Sequence, residues 1–202
     1  VDLQNGIDSG DQLAGILGRE AVIGGVAYIS SHIESPGVIR HTGLGAKLVL
    51  GELDGLLSPR VEALEKVCNA AGLDAAATND IALALWSKFA LLAPMSAMSC
   101  LSRLPIEALT AVPETAELMA AAIDEVTSVA AAAGVQVPTE IFKSYKSATR
   151  GAQTSIKPSM LVDLERGKPL EIDYLSGALA RRGQALGVPT PFHAMAATIL
   201  KP

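Results

Sequence analysis

The chain contains few aromatic residues and little cysteine. Only 3% of its 202 residues are aromatic, so Ala, Leu, Val and Ile must fill most of a core. Its two cysteines, Cys68 and Cys100, are far apart and neither belongs to a CxxC pair. We therefore expect neither a disulfide framework nor a zinc site. This cysteine usage is typical of a reducing compartment and predicts a cytoplasmic protein.

Charged residues are also sparse and are not clustered by sign. Sixteen basic and 21 acidic residues give a net charge of −5, with no block of Lys and Arg, whereas nucleic-acid-binding proteins carry a basic patch. We therefore predict a small-molecule partner rather than a nucleic acid. Half of the residues are hydrophobic, which excludes a disordered chain. Residues 1–6 contain neither an initiator Met nor a signal peptide, so we expect the chain to start inside a longer protein.

Several catalytic motifs are absent from the sequence. It contains neither of the glycine-rich phosphate-binding loops, GxGxxG and GxxxxGK[ST], and no GxSxG nucleophile elbow. Gly43 and Gly45 are most simply part of a hairpin turn. The histidines show no HExxH or other ligand spacing, so we predict surface or hydrogen-bonded roles for them and no metal site. They are His32, His41 and His193.

The first third of the sequence mixes strand and helix signals. A short helix is predicted over residues 11–17, and three β-branched runs separated by Gly and Pro predict strands within residues 21–53. Ser58 followed by Pro59 is typical of a helix start, and we extend that helix to about Ala71. This part of the chain therefore reads as an α/β segment.

Beyond about residue 77 the sequence predicts helices alone. Long Ala- and Leu-rich segments are bounded by Pro or Gly, which is typical of helices in a bundle. The fold class is therefore α+β and mainly α, with one domain over residues 1–76 and an all-helical domain over residues 77–202. The predicted helices of the second domain are residues 79–100, 113–133, 138–150, 159–165, 172–186 and 190–200.

Lys88 is the only charged residue between Ile81 and Ser102. These 22 residues could span a bilayer, but Pro94, four serines and the lysine favour a buried, kinked helix of a globular domain and no membrane partner. A buried ammonium must find an anion, reach water, or titrate at a lowered pKa. Leu92 and Ser96 share its helix face, and of these only Ser96 could add a hydrogen bond.

A second polar segment runs from Ser159 to Gly177. Ser159 follows a proline and is placed to cap a short helix, which Gly167 would end. Glu171 and Asp173 would lie at the positive start of the next helix. Roles at the ends of helices are enough to explain these residues, so this segment alone does not predict a catalytic or binding function for them.

Seven segments are informative in combination: residues 3–6, 18–20, 36–43, 50–52, 86–89, 159–163 and 170–173. Together they resemble the ketopantoate reductase family, the 2-dehydropantoate 2-reductases. The resemblance implies an NADP-binding Rossmann-like domain, of which residues 1–76 would be the C-terminal portion. An all-helical domain similar to the C-terminal domain of 6-phosphogluconate dehydrogenase would follow. The GxGxxG loop would lie upstream, so this chain alone should bind NADPH poorly.

The resemblance also implies roles for individual residues in the reduction of a 2-oxo acid by NADPH. Lys88 would be the catalytic lysine, which donates a proton to the ketone oxygen. Glu171 would assist at the substrate and the cofactor. Ser159 and Ser96 would contact the substrate, and Asn5 would reach both the substrate and the nicotinamide.

Three positions depart from the family pattern. Leu92, Ser96 and Ile106 stand where family members that use ketopantoate often carry asparagine. Because sites built to hydrogen-bond discriminate strongly between analogues, the substrate is either 2-dehydropantoate, as in pantothenate biosynthesis, or a related 2-oxo acid. The alternative is a non-catalytic helical module for dimerisation or ligand sensing. In either case we expect a homodimer.

Overall fold

The computed structural model describes residues 1–41, 45–138, 140 and 157–201. The chain divides into two compact units. We call the first, Val1–Asn5 with Ser9–Leu85, the strand unit, and the second, Gly6–Asp8 with Trp86–Pro202, the helical unit. Residues 43 and 44 of the predicted hairpin turn, and almost all of the predicted helix over 138–150, lie outside the described residues. The domain limit at residues 76 and 77 stays a prediction.

The strand unit contains two sheets within its described residues. In the first, β1 is antiparallel to β4 and β4 is parallel to β5, whereas β2 and β3 form a separate antiparallel hairpin. The α-helices of this unit are α1 (Ser9–Leu17) and α2 (Pro59–Ala70). The strands are β1 (Ile23–Tyr28), β2 (Ser31–Ser35), β3 (Val38–His41), β4 (Lys47–Glu52) and β5 (Asp74–Ala77).

The predicted start of helix α2 is confirmed. Ser58 is its N-cap, and the Ser58 hydroxyl accepts the backbone N–H of Val61 at 3.3 Å. Pro59 occupies the first turn, where its missing N–H costs nothing. The Ser58 hydroxyl also donates to Glu52, and Arg60 donates to both oxygens of the same carboxylate. These bonds tie the helix start to the end of β4.

Paired glycines let helix α3 begin close to the sheet. Gly24 of β1 is directly opposite Gly51 of β4. A Cβ atom on Gly51 would lie 2.7 Å from the carbonyl oxygen of Thr78 and 2.9 Å from Cβ of Ile81, which is closer than such atoms can approach. The absence of side chains here therefore makes room for the chain that leads into α3.

Within its described residues the helical unit contains five α-helices besides α3, which begins in the strand unit. Its described elements confirm most of the predicted helices, with two differences. The short helix α4 was not predicted, and the predicted helix over 172–186 is split, because a 3₁₀ turn over Glu171–Asp173 precedes α7. The helices are α3 (Ile81–Ser102), α4 (Ile106–Ala111), α5 (Pro113–Ala132), α6 (Ser159–Glu165), α7 (Ser176–Leu186) and α8 (Pro191–Leu200).

Helix α3 supplies the centre of the helical unit. It is long and apolar enough to cross a membrane by length and composition, but every residue from 93 to 100 is buried against protein. Such burial is typical of the core helix of a globular domain. The helix continues through Pro94, and a kink there stays a prediction. Methionines and small residues of α3 pack against α4, α5 and α8.

The N-terminus of helix α8 is capped by a side chain from another helix. Its N-cap residue, Thr190, makes no side-chain capping bond. The carboxylate of Glu125, on α5, accepts the backbone N–H of Phe192 at 2.8 Å and that of His193 at 3.1 Å. Burial raises the pKa of Glu125, and these two hydrogen bonds offset part of that rise. The carboxylate of Glu125 on α5 thus caps the N-terminus of α8.

Candidate active site

Lys88 lies in the part of helix α3 that belongs to the helical unit. Its side chain is half-buried beside the buried Trp86 and Phe89, whose rings meet edge to face at 5.9 Å. Burial lowers the pKa of the Lys88 ammonium, and the negative charge of Glu171 offsets part of that decrease. The surroundings of Lys88 therefore favour proton loss, while a carboxylate keeps the charged form accessible.

The negative charge of Glu171 acts on the Lys88 ammonium in the structure, and the roles that the resemblance implies for both residues stay predictions. Glu171 is exposed and opens the 3₁₀ turn, as its predicted position at a helix start required. Its carbonyl oxygen accepts the N–H of Tyr174 at 3.0 Å and that of Leu175 at 3.1 Å. The next side chain, Ile172, is buried in the core. The backbone of Glu171 is thus fixed while its carboxylate stays accessible.

Ser159 does not cap helix α6, and that prediction is wrong. The helix begins at Ser159 itself, and its N-cap residue is Pro158. The carbonyl oxygen of Pro158 accepts the N–H groups of Leu161 and Val162, so the backbone closes the first turn without the serine hydroxyl. The Ser159 side chain is exposed. Gly167 follows the end of the helix with φ +67°, as predicted.

Two serines on α3 are buried with unsatisfied hydroxyls. Ser96 and Ser99 are fully inaccessible to solvent, and neither hydroxyl has a hydrogen-bond partner within the described ranges. A buried hydroxyl without a partner costs about 1–3 kcal/mol. Ser96 lies two helical turns after Lys88, with the half-buried Leu92 between them. The substrate contact predicted for Ser96 remains a prediction.

Asn5 and Ile106 differ in what surrounds them. Asn5 is half-buried in the strand unit, and its predicted contacts with substrate and cofactor remain predictions. Ile106 is buried at the start of α4, in the cluster of apolar side chains that α3, α5 and α8 complete. This position therefore holds a core side chain, whereas the resemblance implies that an amide is frequent there.

Cys100, one of the two free cysteines, is chemically quiet. It is buried on α3. Burial raises the pKa of its thiol to about 11, and the nearby charge of Arg103 offsets part of that rise. A thiol with this pKa is almost entirely protonated at neutral pH and is a poor nucleophile. Within the described residues no group of three His, Cys, Asp or Glu side chains could hold a metal ion.

Two polar networks of the helical unit went unrecognised in the sequence. His193, predicted to be a surface or hydrogen-bonded residue, is fully buried and lies within hydrogen-bond distance of Ser176 and the carbonyl of Ala122. Arg182 binds Asp8, which is 174 positions away. A local sequence pattern cannot predict hydrogen bonds between residues that are so far apart in the sequence.

Two family descriptions match the chain. The one described as "Ketopantoate reductase PanE/ApbA C terminal" matches residues 80–202, and the one described as "Ketopantoate reductase PanE/ApbA" matches residues 1–55. A 2-dehydropantoate 2-reductase of Mesorhizobium japonicum is 34% identical over 187 residues, which are 93% of this chain and 56% of the relative. One of Archaeoglobus fulgidus is 30% identical over 92% of this chain and 61% of the relative. The chain thus spans less than two thirds of either relative.

Solved structures show the same similarity. A 2-dehydropantoate 2-reductase from Geobacter metallireducens superposes with a TM-score of 0.91 at 31% identity, covering 98% of this chain and 66% of that one. One from Methylococcus capsulatus gives a TM-score of 0.88 at 31% identity, covering 98% and 67%. These matches confirm the predicted fold class, the end of a Rossmann-like domain followed by a helical domain. The chain belongs to the ketopantoate reductase (PanE/ApbA) family.

Proposed function

We propose that the protein reduces a 2-oxo acid, 2-dehydropantoate or a close relative, with a nicotinamide cofactor, and that Lys88 is the proton donor. The proposal rests mainly on the half-buried ammonium of Lys88. Burial lowers the pKa of this group, and the negative charge of Glu171 offsets part of that decrease. A perturbed lysine paired with an accessible carboxylate is typical of a site for proton transfer.

The chemistry follows from the charge that develops on the substrate. When bound, the reduced nicotinamide would supply a hydride to the ketone carbon. Negative charge then builds on the ketone oxygen, where a nearby ammonium group stabilises it and donates the proton that completes the alcohol. A lowered pKa brings the Lys88 ammonium closer to the acidity that this transfer needs at neutral pH.

The other proposed residues bind and orient the reactants. The carboxylate of Glu171 keeps Lys88 protonated before the transfer and accepts a hydrogen bond from a substrate or cofactor hydroxyl. Ser159 offers an exposed hydroxyl to the substrate. Ser96 offers a buried hydroxyl that lacks a partner within the described part of the chain, and Asn5 offers an amide to the substrate and to the nicotinamide.

We propose that Asn5 and Glu171 serve the reacting end of the cofactor. Asn5 is half-buried in the strand unit and Glu171 is exposed in the helical unit, so each side chain keeps accessible surface within its own unit. The sequence contains no GxGxxG loop for the pyrophosphate. We propose NADPH, as the family resemblance implies. A solved D-mandelate dehydrogenase with NADH shares the fold at a TM-score of 0.89 and 22% identity.

A second reading, a non-catalytic module that dimerises or senses a ligand, is favoured by one observation. Ile106 is a core residue and Leu92 is apolar, so two of the three positions that depart from the family pattern cannot hydrogen-bond a ligand through their side chains. We propose a homodimer under either reading. A protein that binds a 2-oxo acid without reducing it would support this second reading.

The test replaces Lys88 by Ala. The assay needs a form of the protein that carries the family's nucleotide-binding domain together with this chain, because the relatives are longer than the chain. We expect Lys88→Ala to lower kcat by about 10²–10⁴-fold while NADPH affinity changes little. The matched control is Lys66→Ala, which removes an exposed lysine of α2 and leaves kcat unchanged. A Lys88→Ala variant with wild-type turnover would exclude the proposed role.

A further inference from the structure

An arginine of helix α7 holds the 3₁₀ turn over Glu171–Asp173. The Nη2 atom of Arg181 donates to the carbonyl oxygen of Asp173 at 2.9 Å. Side chains of an α-helix lean towards its N-terminus, so Arg181, in the second turn of α7, reaches back to the turn that precedes the helix. The turn and α7 both belong to the helical unit.

Helix α7 leaves space for this bond at Gly177. A Cβ atom on Gly177 would lie 3.2 Å from Nη1 of Arg181 and 3.3 Å from Oδ1 of Asp173. Both distances are shorter than ordinary van der Waals contact, so a side chain here would press on the guanidinium and on the turn. The glycine therefore permits the close approach of Arg181 to the turn.

The backbone of the turn connects Asp173 to Glu171. The carbonyl oxygen of Glu171 accepts the N–H groups of Tyr174 and Leu175, and Ile172, between the two acidic residues, is buried. The turn is thus closed by its own hydrogen bonds and fixed at its centre. A bond that holds the carbonyl of Asp173 therefore also restrains Glu171, two residues earlier.

We infer that Arg181 is a positioning residue for the carboxylate of Glu171. By holding the carbonyl of Asp173, Arg181 fixes the turn that carries Glu171 and so fixes the place of this carboxylate relative to Lys88 on α3. Lys88 and Glu171 lie in the same unit as Arg181. The inference rests on the proposed function of Lys88 and Glu171. Misplacing a positioning group by about 1 Å can cost as much as about 100-fold in rate.

The charge of Glu171 gives this inference a measurable consequence. Burial lowers the pKa of the Lys88 ammonium, and Glu171 offsets part of that decrease. A misplaced Glu171 carboxylate would therefore lower the pKa of Lys88 further. Loss of the Arg181 cation alone would act in the opposite direction, because removing a positive charge favours a neighbouring ammonium. The direction of the pKa change thus separates positioning from a direct effect of charge.

Lys201 provides a matched control. Its Nζ atom lies 3.7 Å from Oδ1 of Asp173, and its side chain is as exposed as that of Arg181. Lys201→Gln therefore removes an equal charge beside the same residue and leaves the bond to the Asp173 carbonyl in place. Arg181 also lies 3.7 Å from Asp8, but Asp8 keeps its bond from Arg182 at 2.6 Å in every variant.

The first measurement is the pKa of Lys88, from competitive labelling with acetic anhydride and mass spectrometry. It uses the form that carries the nucleotide-binding domain. Only the uncharged amine reacts, so the midpoint of labelling against pH reports the pKa. We expect a lower midpoint in Arg181→Gln, equivalent to about twofold faster labelling at neutral pH, and no change in Lys201→Gln. An unchanged or raised midpoint in Arg181→Gln would overturn the inference.

A second variant, Arg181→Lys, covers a failure of Arg181→Gln to fold. It keeps the charge but loses the planar fork of the guanidinium, so we expect a smaller decrease of the midpoint. The fluorescence of Trp86, the only tryptophan, reports whether each variant is folded. If Arg181→Gln does not fold, an unchanged midpoint in Arg181→Lys refutes the inference.

A double-mutant cycle with Glu171→Gln tests whether Arg181 acts through Glu171. Once the carboxylate has been removed, Arg181→Gln should not lower the midpoint of Lys88 labelling any further. An equal decrease in both backgrounds would show that Arg181 acts on Lys88 by another route and would refute the positioning role.

The last measurement separates this inference from the proposed function. In the same form of the protein we expect kcat/KM for the 2-oxo acid to fall about three- to tenfold in Arg181→Gln and less than about twofold in Lys201→Gln. If the wild type reduces no 2-oxo acid, the proposed function fails, and the labelling of Lys88 alone judges the inference. An active wild type with equal kcat/KM in Arg181→Gln would overturn the inference and leave the proposed function intact.

Discussion

His193 should make the stability of the helical unit depend on pH. Its Nε2 atom lies 3.1 Å from the carbonyl oxygen of Ala122, and its Nδ1 atom lies 3.0 Å from the Ser176 hydroxyl. Burial lowers the pKa of the imidazole from 6.5 to about 4, so the ring is neutral at neutral pH. In the neutral ring Nε2 carries the proton, because a carbonyl oxygen only accepts, and Nδ1 then accepts from the Ser176 hydroxyl.

The lowered pKa sets both the sign and the size of the effect. Between about pH 4 and pH 6.5 the unfolded chain binds a proton at His193 that the folded chain does not bind, so stability falls as pH falls through this range. Each pH unit corresponds to about 1.4 kcal/mol for one proton. His193 should therefore remove about 3 kcal/mol of unfolding free energy over the whole range and nothing above it.

Urea unfolding followed by Trp86 fluorescence provides the assay, because the only tryptophan is buried in the same unit. The control is His193→Gln, which cannot titrate and should flatten the dependence of stability on pH between about pH 4 and pH 6.5. Glu125 accepts the backbone N–H of His193, and burial raises its pKa, so Glu125 acts in the opposite direction. It is present in both proteins, and their difference isolates the histidine.

Two outcomes would refute this reasoning. The first is an equal dependence of unfolding free energy on pH in the wild type and in His193→Gln. The second applies if that variant does not fold. It is an NMR titration of the wild-type protein that finds the pKa of the His193 imidazole near the ordinary value of about 6.5. Either result would mean that the buried ring can be protonated without cost.

Four further predictions concern single side chains. The rate of 2-oxo acid reduction should fall as pH rises through the pKa of Lys88, which lies below the ordinary value of about 10.5. Lys88→Arg should move this decrease in rate to higher pH. A pH–rate profile unchanged by Lys88→Arg would contradict the assignment. In the folded protein iodoacetamide should label Cys68, which is partly exposed, but not Cys100, whose thiol pKa is about 11; mass spectrometry of the native protein decides, and unfolded protein labelled at both is the control. Ser58→Ala should lower the unfolding free energy by about 1 kcal/mol, measured by urea denaturation, and Ser58→Gly should cost less. Ser96→Ala should leave stability unchanged or raise it by up to about 1 kcal/mol, because the hydroxyl it removes lacks a partner, while KM for the 2-oxo acid rises; a large loss of stability with unchanged KM would point to a structural role.

Much of the helical unit could be predicted because residues at the ends of its helices mark where each helix begins or ends. Proline begins α5 and α8, and glycine follows α6 with a positive φ. The apolar run around Lys88 predicts a buried helix, which the structure confirms. Local signals of this kind need no knowledge of the tertiary structure.

Other elements could not be predicted, for physical reasons. Strand β5 reads Asp-Ala-Ala-Ala, and alanine has little preference for strands, so only its pairing with β4 makes it one. Helix α4 has six residues, which is too short for a periodic pattern. Ser159 was assigned a capping role because serine often has it, but Pro158 supplies the first turn with a carbonyl instead.

The candidate site shows the same division. The unusual position of Lys88 is visible in sequence, because a single charge in an apolar run stands out. Its electrostatic interaction with Glu171 has no such signal, since 83 positions separate the two in the printed sequence and the interaction depends on the fold. The bond between Arg182 and Asp8 has no local signature either.

The N-terminus of helix α8 is capped by Glu125 of α5, and this affects the order in which the helices form. A helix of ten residues is too short to persist alone in water, and the side chain of its N-cap residue, Thr190, makes no capping bond. Its first free N–H groups are satisfied only when Glu125 is already in place. An isolated peptide of residues 190–200 should therefore stay a random coil, and this segment becomes helical by using α5 as a template.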